Sequence, residues 1–258
     1  MRRYGRLLAA FFSNCVAREM IFRTHFITSL IGGYGWSLVM LLFLATVVQR
    51  VQSLGVWQLP DIYVLMGTFM IVQGTTQFLL EDNLWQISSY VREGTLDFIL
   101  TKPVDSQFLV SLRFLKLPAL GLLIPGTVLV ILGARMPLEP LDLLLYLAGV
   151  AAGVAIFYSI GFMLATTTIW FVRADMGGLV YGLVDVMRFP ADVFPRALRL
   201  TFTYVLPLVF IASVPTQTLQ HRAGLATPLA GMMAAVVMFG LARLLWRFAL
   251  RFYSSASS

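Results

Sequence analysis

Apolar residues in this chain come in long blocks separated by short charged stretches, not in strand-like alternation. The blocks fall at residues 26–48, 62–80, 117–134, 141–172, 176–189 and 225–245. A helix crossing a bilayer needs roughly 20 predominantly apolar residues, and most of these blocks reach or approach that length. The pattern predicts an all-α integral membrane protein with six transmembrane helices. No Pro/Gly/Ser-rich linker divides it, so residues 1–258 form one domain.

Three segments depart from the block pattern. Residues 1–25 place Leu8, Phe11, Phe12, Cys15 and Phe22 on one helical face, with Arg2, Arg3, Arg6 and Ser13 elsewhere. That suits an amphipathic helix lying along the membrane surface; the apolar run is too short, and too soon followed by Arg18 and Glu19, for a cleaved leader. Residues 190–222 are apolar but broken by Pro190, Pro195, Pro207 and Pro215. Irregular backbone at membrane depth survives only when protein or a water-filled cavity covers it, so a re-entrant pair of short helices is expected there. A competing assignment sends residues 201–213 through the membrane as the fifth span and leaves 176–199 inside. The third segment, 81–116, is the longest polar stretch. Within the first span, Gly32, Gly33 and Gly35 permit close helix packing.

Composition removes the soluble alternative: 59% of residues are hydrophobic and 12% charged, against about 45–50% and about 25% for ordinary soluble domains. Basic residues set the orientation, because cytoplasmic loops carry the excess of Lys and Arg. With both termini inside, thirteen fall on the inner side, namely Arg2, Arg3, Arg6, Arg18, Arg23, Arg92, Lys102, Arg113, Lys116, Arg173, Arg243, Arg247 and Arg251. Six fall outside: Arg50, Arg135, Arg188, Arg196, Arg199 and Arg222. The +7 net charge therefore reads as topology, and no nucleic-acid partner is expected.

Candidate chemistry is sparse. The lone Cys15 and the distant His25 and His221 offer no metal-ligand spacing. No phosphate-cradling G-x-x-x-x-G-K-[ST] loop is present, so the chain is expected to bind no nucleotide cofactor and to have no catalytic residues of its own. Asp185, with Arg188 on the same helix face, forms a possible intramembrane ion pair. An ion-coupled carrier or channel, the alternative function, would have to be built on it. The run Thr166–Thr168 is expected to bond to its own helix backbone.

Residues 92–103 carry the most information. A helix should end at Gly94, Thr95 should cap a short second helix with Asp97 in its first turn, and Lys102-Pro103 should stop it. The resulting stub would expose Leu96, Ile99 and Leu100, an apolar surface suited to a partner groove. Gly94, Leu96, Asp97, Leu100 and Pro103 together resemble the G-x-L-D-x-x-L-x-x-P segment of type-2 ABC-transporter permeases. The proline-punctuated stretch from Arg188 to Pro207 is similar to the outer region before the last span in that family.

The resemblance implies the transmembrane subunit of an ABC exporter in the cell inner membrane. It would dock on a cytoplasmic ABC ATPase dimer, which uses ATP and Mg, and pair with a second permease protomer, identical or related, within membrane lipid. Segment 81–116 would supply the coupling helix, with Gly94, Leu96, Asp97, Ile99, Leu100 and Pro103 as its contact residues. The cargo would be hydrophobic or amphipathic and would move outward. Replacing Leu96 and Ile99 together by Asp is then expected to disrupt ATPase assembly while sparing membrane insertion.

Overall fold

The computed structural model describes residues 2–21, 23–51, 57–135, 137–171, 182, 186 and 188–253. Their regular elements are all helices, with no strand among them. In chain order the helices are α1 (Arg2–Ile21), α2 (Arg23–Val51), α3 (Leu59–Thr76), α4 (Asp82–Arg92), α5 (Asp97–Leu100), α6 (Ser106–Ser111), α7 (Leu123–Gly133), α8 (Pro140–Thr166), α9 (Arg196–Leu200), α10 (Ser213–Leu219) and α11 (Ala226–Ala249). Three stretches are long and apolar enough to cross a membrane: Leu59–Arg92, Pro140–Ile169 and Ala226–Ala249. Leu117–Gly133 and Ile31–Val47 are shorter apolar helices. Most of the fifth expected span, including Asp185, lies outside the described residues.

The second block does not stop where its apolar residues do. A π turn, Gln77–Glu81, joins α3 directly to α4, making one rod of 34 residues. At 1.5 Å per residue that is about 51 Å, against about 30 Å of hydrocarbon. The rod's polar end therefore projects past the apolar layer, carrying α5 with it.

The third block begins as a 3-10 helix, Leu117–Leu122, before α7. Two prolines explain the change. Pro118 suits the first turn, and a helix restarting at Leu123 puts Pro125 in its own first turn, where no N–H is needed. The Gly121 carbonyl, which Pro125 cannot bond, accepts the Tyr34 hydroxyl at 2.7 Å. Tyr34 and Gly33 thus seat α2 on this turn; Gly32 and Gly35 have open space around them.

Helices α3 and α7 pack closely through glycines. Gly67 and Gly74 on one, and Gly126 and Gly133 on the other, are each spaced seven residues apart and share one face. A Cβ at Gly67 would stand 2.5 Å from the Gly126 carbonyl oxygen, and one at Gly126 would stand 2.9 Å from that of Gly67. Backbone meets backbone, the packing that small residues permit in lipid. Around this pair a mid-bundle core gathers Leu65, Phe69, Ile156, Ile160, Ile211 and Met238. Large apolar side chains of α2, α7 and α11 point outward, among them Phe43, Ile131 and Val236.

Residues 190–222 form a chain of short turns with α9 and α10. Pro190 and Pro207 are buried and Pro195 is exposed, preceding α9. The Ile211 backbone lies against Gly153 and Pro215 lies against Gly149. Gly153 is about 20 Å along α8 from Pro140. By Gln220 the chain has returned to the start of α8, where the Gln220 amide donates to the Gly133 carbonyl at 2.8 Å. The segment dips beside α8 and comes back.

Gly67→Val is expected to force α3 from α7 and lower the thermal midpoint in detergent, an overpacking cost of about 1–3 kcal/mol. Gly240→Ala, in α11 with nothing near its Cβ position, should leave that midpoint unchanged or raised.

Candidate functional site

The projecting rod ends as the sequence predicts, at Gly94, whose φ of 68° is left-handed and open to glycine at no steric cost. The turn folds the chain back, and α5 follows. Thr95 does not cap α5; its backbone carbonyl accepts the Phe98 N–H, and Leu96 occupies the cap position without a side-chain bond. Asp97 lies in the first turn and Pro103 is exposed just beyond the end.

The expected exposed face is corrected. Leu96 and Ile99 are 0% and 4% exposed, packed with Ile87, Val91, Leu109 and Trp246 in a second core. The outward side chains are Phe98, 72% exposed, and Leu100 at 36%, flanked by the exposed Arg92, Glu93, Lys102 and Pro103. Leu96 and Ile99 do share a face, as i, i+3 spacing requires, but it faces inward. The double replacement at 96 and 99 therefore tests folding of the stub, not a docking surface.

Behind the stub stands a polar brace. Asp105 caps α6, accepting the Phe108 N–H at 3.0 Å. Its carboxylate also receives both terminal nitrogens of Arg243 in a fork, one bond at 2.8 Å. Arg243 donates a further bond to the Gln107 side chain at 3.0 Å. The Gln107 amide donates to the Tyr158 hydroxyl at 3.0 Å, and Ser111 joins Tyr158 at 2.8 Å. Nearby, the Trp246 indole donates to Ser106 at 3.1 Å. Thus α6 is fastened to α8 through Tyr158 and to α11 through Arg243 and Trp246.

A second clamp ties the rod to the following span. Asn83 pairs with the Phe114 backbone in both directions, its amide donating at 2.7 Å and its carbonyl accepting at 2.8 Å. The Lys116 N–H reaches the Phe78 carbonyl, and its amine lies 3.6 Å from Glu81.

The Arg243 guanidinium holds the Asp105 carboxyl below its usual range, helped by the Phe108 N–H and opposed by partial burial. Burial, then the charge of Asp97, pushes the Tyr253 phenol above its ordinary value, keeping the hydroxyl neutral beside α5.

At the opposite end a second polar group gathers. Asp61, fully buried, accepts the Gln58 N–H at 2.7 Å and pairs with Arg222 at 2.7 Å, with Arg135 3.6 Å away. Trp57 donates to Asp192 at 2.9 Å, and Asp192 meets Arg199 at 3.1 Å. Arg188 is 5% exposed, its guanidinium over the rings of Phe69 (5.1 Å) and Trp36 (5.5 Å), a cation–π arrangement. Its expected partner Asp185 lies outside the described residues. Thr166, Thr167 and Thr168 each donate to their own helix, to Phe162, Leu164 and Ala165.

Among the described residues the polar groups form no converging catalytic set; they brace an outward-facing stub. A model of the ABC-2 family transporter protein matches residues 34–257. The chain belongs to the ABC-2 transporter family. It is a membrane-embedded permease of that family, as the motif at Gly94–Pro103 implied. Comparison with curated proteins yields no match.

Sequence reasoning missed the exposure of Phe98 in the permease, having turned Leu96 and Ile99 outward instead. It also missed the pairing of Asp105 with Arg243, 138 residues apart, although an arginine within an apolar helix was a signal that a partner had to exist. Asp61, Arg135 and Arg222 gave no local signal.

A double-mutant cycle on Asp105→Asn and Arg243→Gln should return a coupling of about 1 kcal/mol, since the pair is partly exposed and screened. Folding depresses the Asp105 pKa, so its contribution is complete above the unfolded value, about 3.9. It should be lost as pH falls through that value and on through the lower native one. Melting between pH 7 and 3 checks this: wild type should lose this increment only below about pH 4, and Asp105→Asn should lack it throughout.

Proposed function

We propose that this permease is the transmembrane subunit of an ATP-driven exporter, acting with a separate cytoplasmic ATPase dimer. In this reading it lies in the cell inner membrane with six spans, the fifth within residues 176–189, and with both termini cytoplasmic. It pairs with a second permease protomer, identical or related. ATP and Mg are bound by the ATPase, and the cargo is hydrophobic or amphipathic and leaves outward.

The observation that carries the reading is the exposure of Phe98 and Leu100 on a stub otherwise locked to its own bundle. A bulky aromatic side chain held out from a fixed base, with charge around it, has the form of an interface anchor. Closure of the ATPase dimer would displace α5. The Asp105–Arg243–Gln107–Tyr158 contacts would pass that displacement to α8 and α11, and Asn83–Phe114 would pass it to α3 and the 117–133 helix. Substrate would move as the helices rearrange between protomers.

Co-purification from native membrane in mild detergent tests the reading. Wild type should retain an ATPase subunit at about one per permease. Phe98→Asp should insert and fold normally but lose that subunit by about thirtyfold or more, as expected for loss of an anchor contact worth about 2 kcal/mol. Wild-type retention of an active ATPase by Phe98→Asp would overturn the assignment of this surface.

A further inference from the structure

A cavity of about 300 Å³ lies between α1, the stub and α6, lined by Phe11, Asn14, Ile99, Lys102, Leu109 and Arg113 together with Cys15 and Phe114. Its volume is at the lower limit of small-molecule sites. Fixed contacts hold its walls apart. Tyr4 packs edge-on against Phe108 at 4.8 Å, and the Leu115 N–H donates to Cys15 sulfur at 3.3 Å. Helix α1 is therefore attached to the α6 segment on both sides of the gap, which spans Phe11 and Asn14.

The lining is chemically divided. Phe11, Ile99, Leu109 and Phe114 form apolar walls, while Lys102, Arg113 and Asn14 supply only donors apart from the Asn14 carbonyl. No carboxylate is among the described residues that line it. Arg113 reaches the Tyr90 hydroxyl at 3.4 Å and lies 5.4 Å over the Phe114 ring; neither contact neutralises its charge. Both cations are exposed on the lining of one concavity, and their summed positive potential attracts an anion. The depth is also telling. Arg113 comes four residues before the apolar helix at Leu117, the level of lipid headgroups.

We propose that this cavity binds the phosphate headgroup of an anionic phospholipid, with Lys102 and Arg113 on the phosphate, Asn14 donating beside them, and the upper acyl chain against Phe11 and Leu109. The bound lipid fastens α1 to the stub, so the local lipid composition sets how firmly α5 is held. The site shares Lys102 with the rim of the proposed ATPase-facing surface, whereas Asn14, Arg113 and the apolar walls lie outside that surface.

The test is native mass spectrometry of the full-length chain, delipidated in detergent and titrated with phosphatidylglycerol, phosphatidylcholine or glycerol phosphate. One phosphatidylglycerol should bind in preference to phosphatidylcholine. Lys102→Gln with Arg113→Gln should weaken it at least about tenfold, each basic residue at a headgroup contributing a factor of about five. Arg6→Gln, exposed on α1 away from the cavity, should leave binding unchanged, and circular dichroism of each variant controls for folding. Equal binding of the two lipids, or phosphatidylglycerol binding indifferent to the double change, would overturn the site. Glycerol phosphate binding as tightly as the lipid would also overturn it, marking a site for soluble phosphoesters.

Discussion

A backbone carbonyl that loses its helical donor inside a bilayer has no water to turn to, and this permease is organised by how it meets that constraint. Pro125 deprives the Gly121 carbonyl, and Tyr34 of α2 supplies the missing bond. The carbonyl of Gly133, at the end of α7, is taken by Gln220 from the dipping segment. Beyond the π turn, Asn83 pairs with the Phe114 backbone as a strand neighbour would. Each repair comes from a different element, so the bonds that rescue broken helices also join the bundle together.

The constraint separates two kinds of cohesion. The middle of the bundle contains close glycine contacts, α3 on α7 through Gly67 and Gly126, and α8 on the Ile211 backbone through Gly153. Such contacts depend on shape and make sliding apart costly without fixing orientation by charge. The ends use ionic and hydrogen-bonded sets, Asp105 with Arg243 at one and Asp61 with Arg222 and Arg135 at the other. Charge stands where it can be solvated or paired, and those pairs fix the register of helices that apolar packing alone leaves loosely specified.

Much of this was legible in the sequence because lipid imposes a coarse code. Block length marked the second, fourth and last helices, Gly94 marked the end of the rod, and the prolines marked residues 190–222 as broken. Boundaries failed where a helix continued into polar residues: composition changes at Glu81, but the hydrogen-bond ladder runs through it by a π turn. The face of the stub failed for a different reason. Leu96, Ile99, Phe98 and Leu100 are all apolar, and four residues of helix give no polar stripe to say which side is in. Only the packing of Trp246 and Leu109, distant in sequence, decides it. The Arg243–Asp105 pair was half legible: an arginine within an apolar helix announces a partner, but nothing in the local pattern names one 138 residues away.

The two fastenings of the stub constrain how it can act. Asn83 with Phe114 ties the rod that carries it to the segment entering α7, and α3 and α7 touch backbone to backbone through Gly67 and Gly126. Gln107, Ser111 and Arg243 bind it to α8 and α11 instead. In the proposed reading, a force delivered at Phe98 would divide between two helix pairs. The α3–α7 route runs through paired amide bonds and a continuous helix and is stiff. The α8–α11 route runs through long side chains, one of them an ion pair about one-third exposed, and is more compliant. Small displacements would then turn α3 and α7 together against a comparatively stationary α8 and α11, making the junction between those pairs the place where relative motion begins.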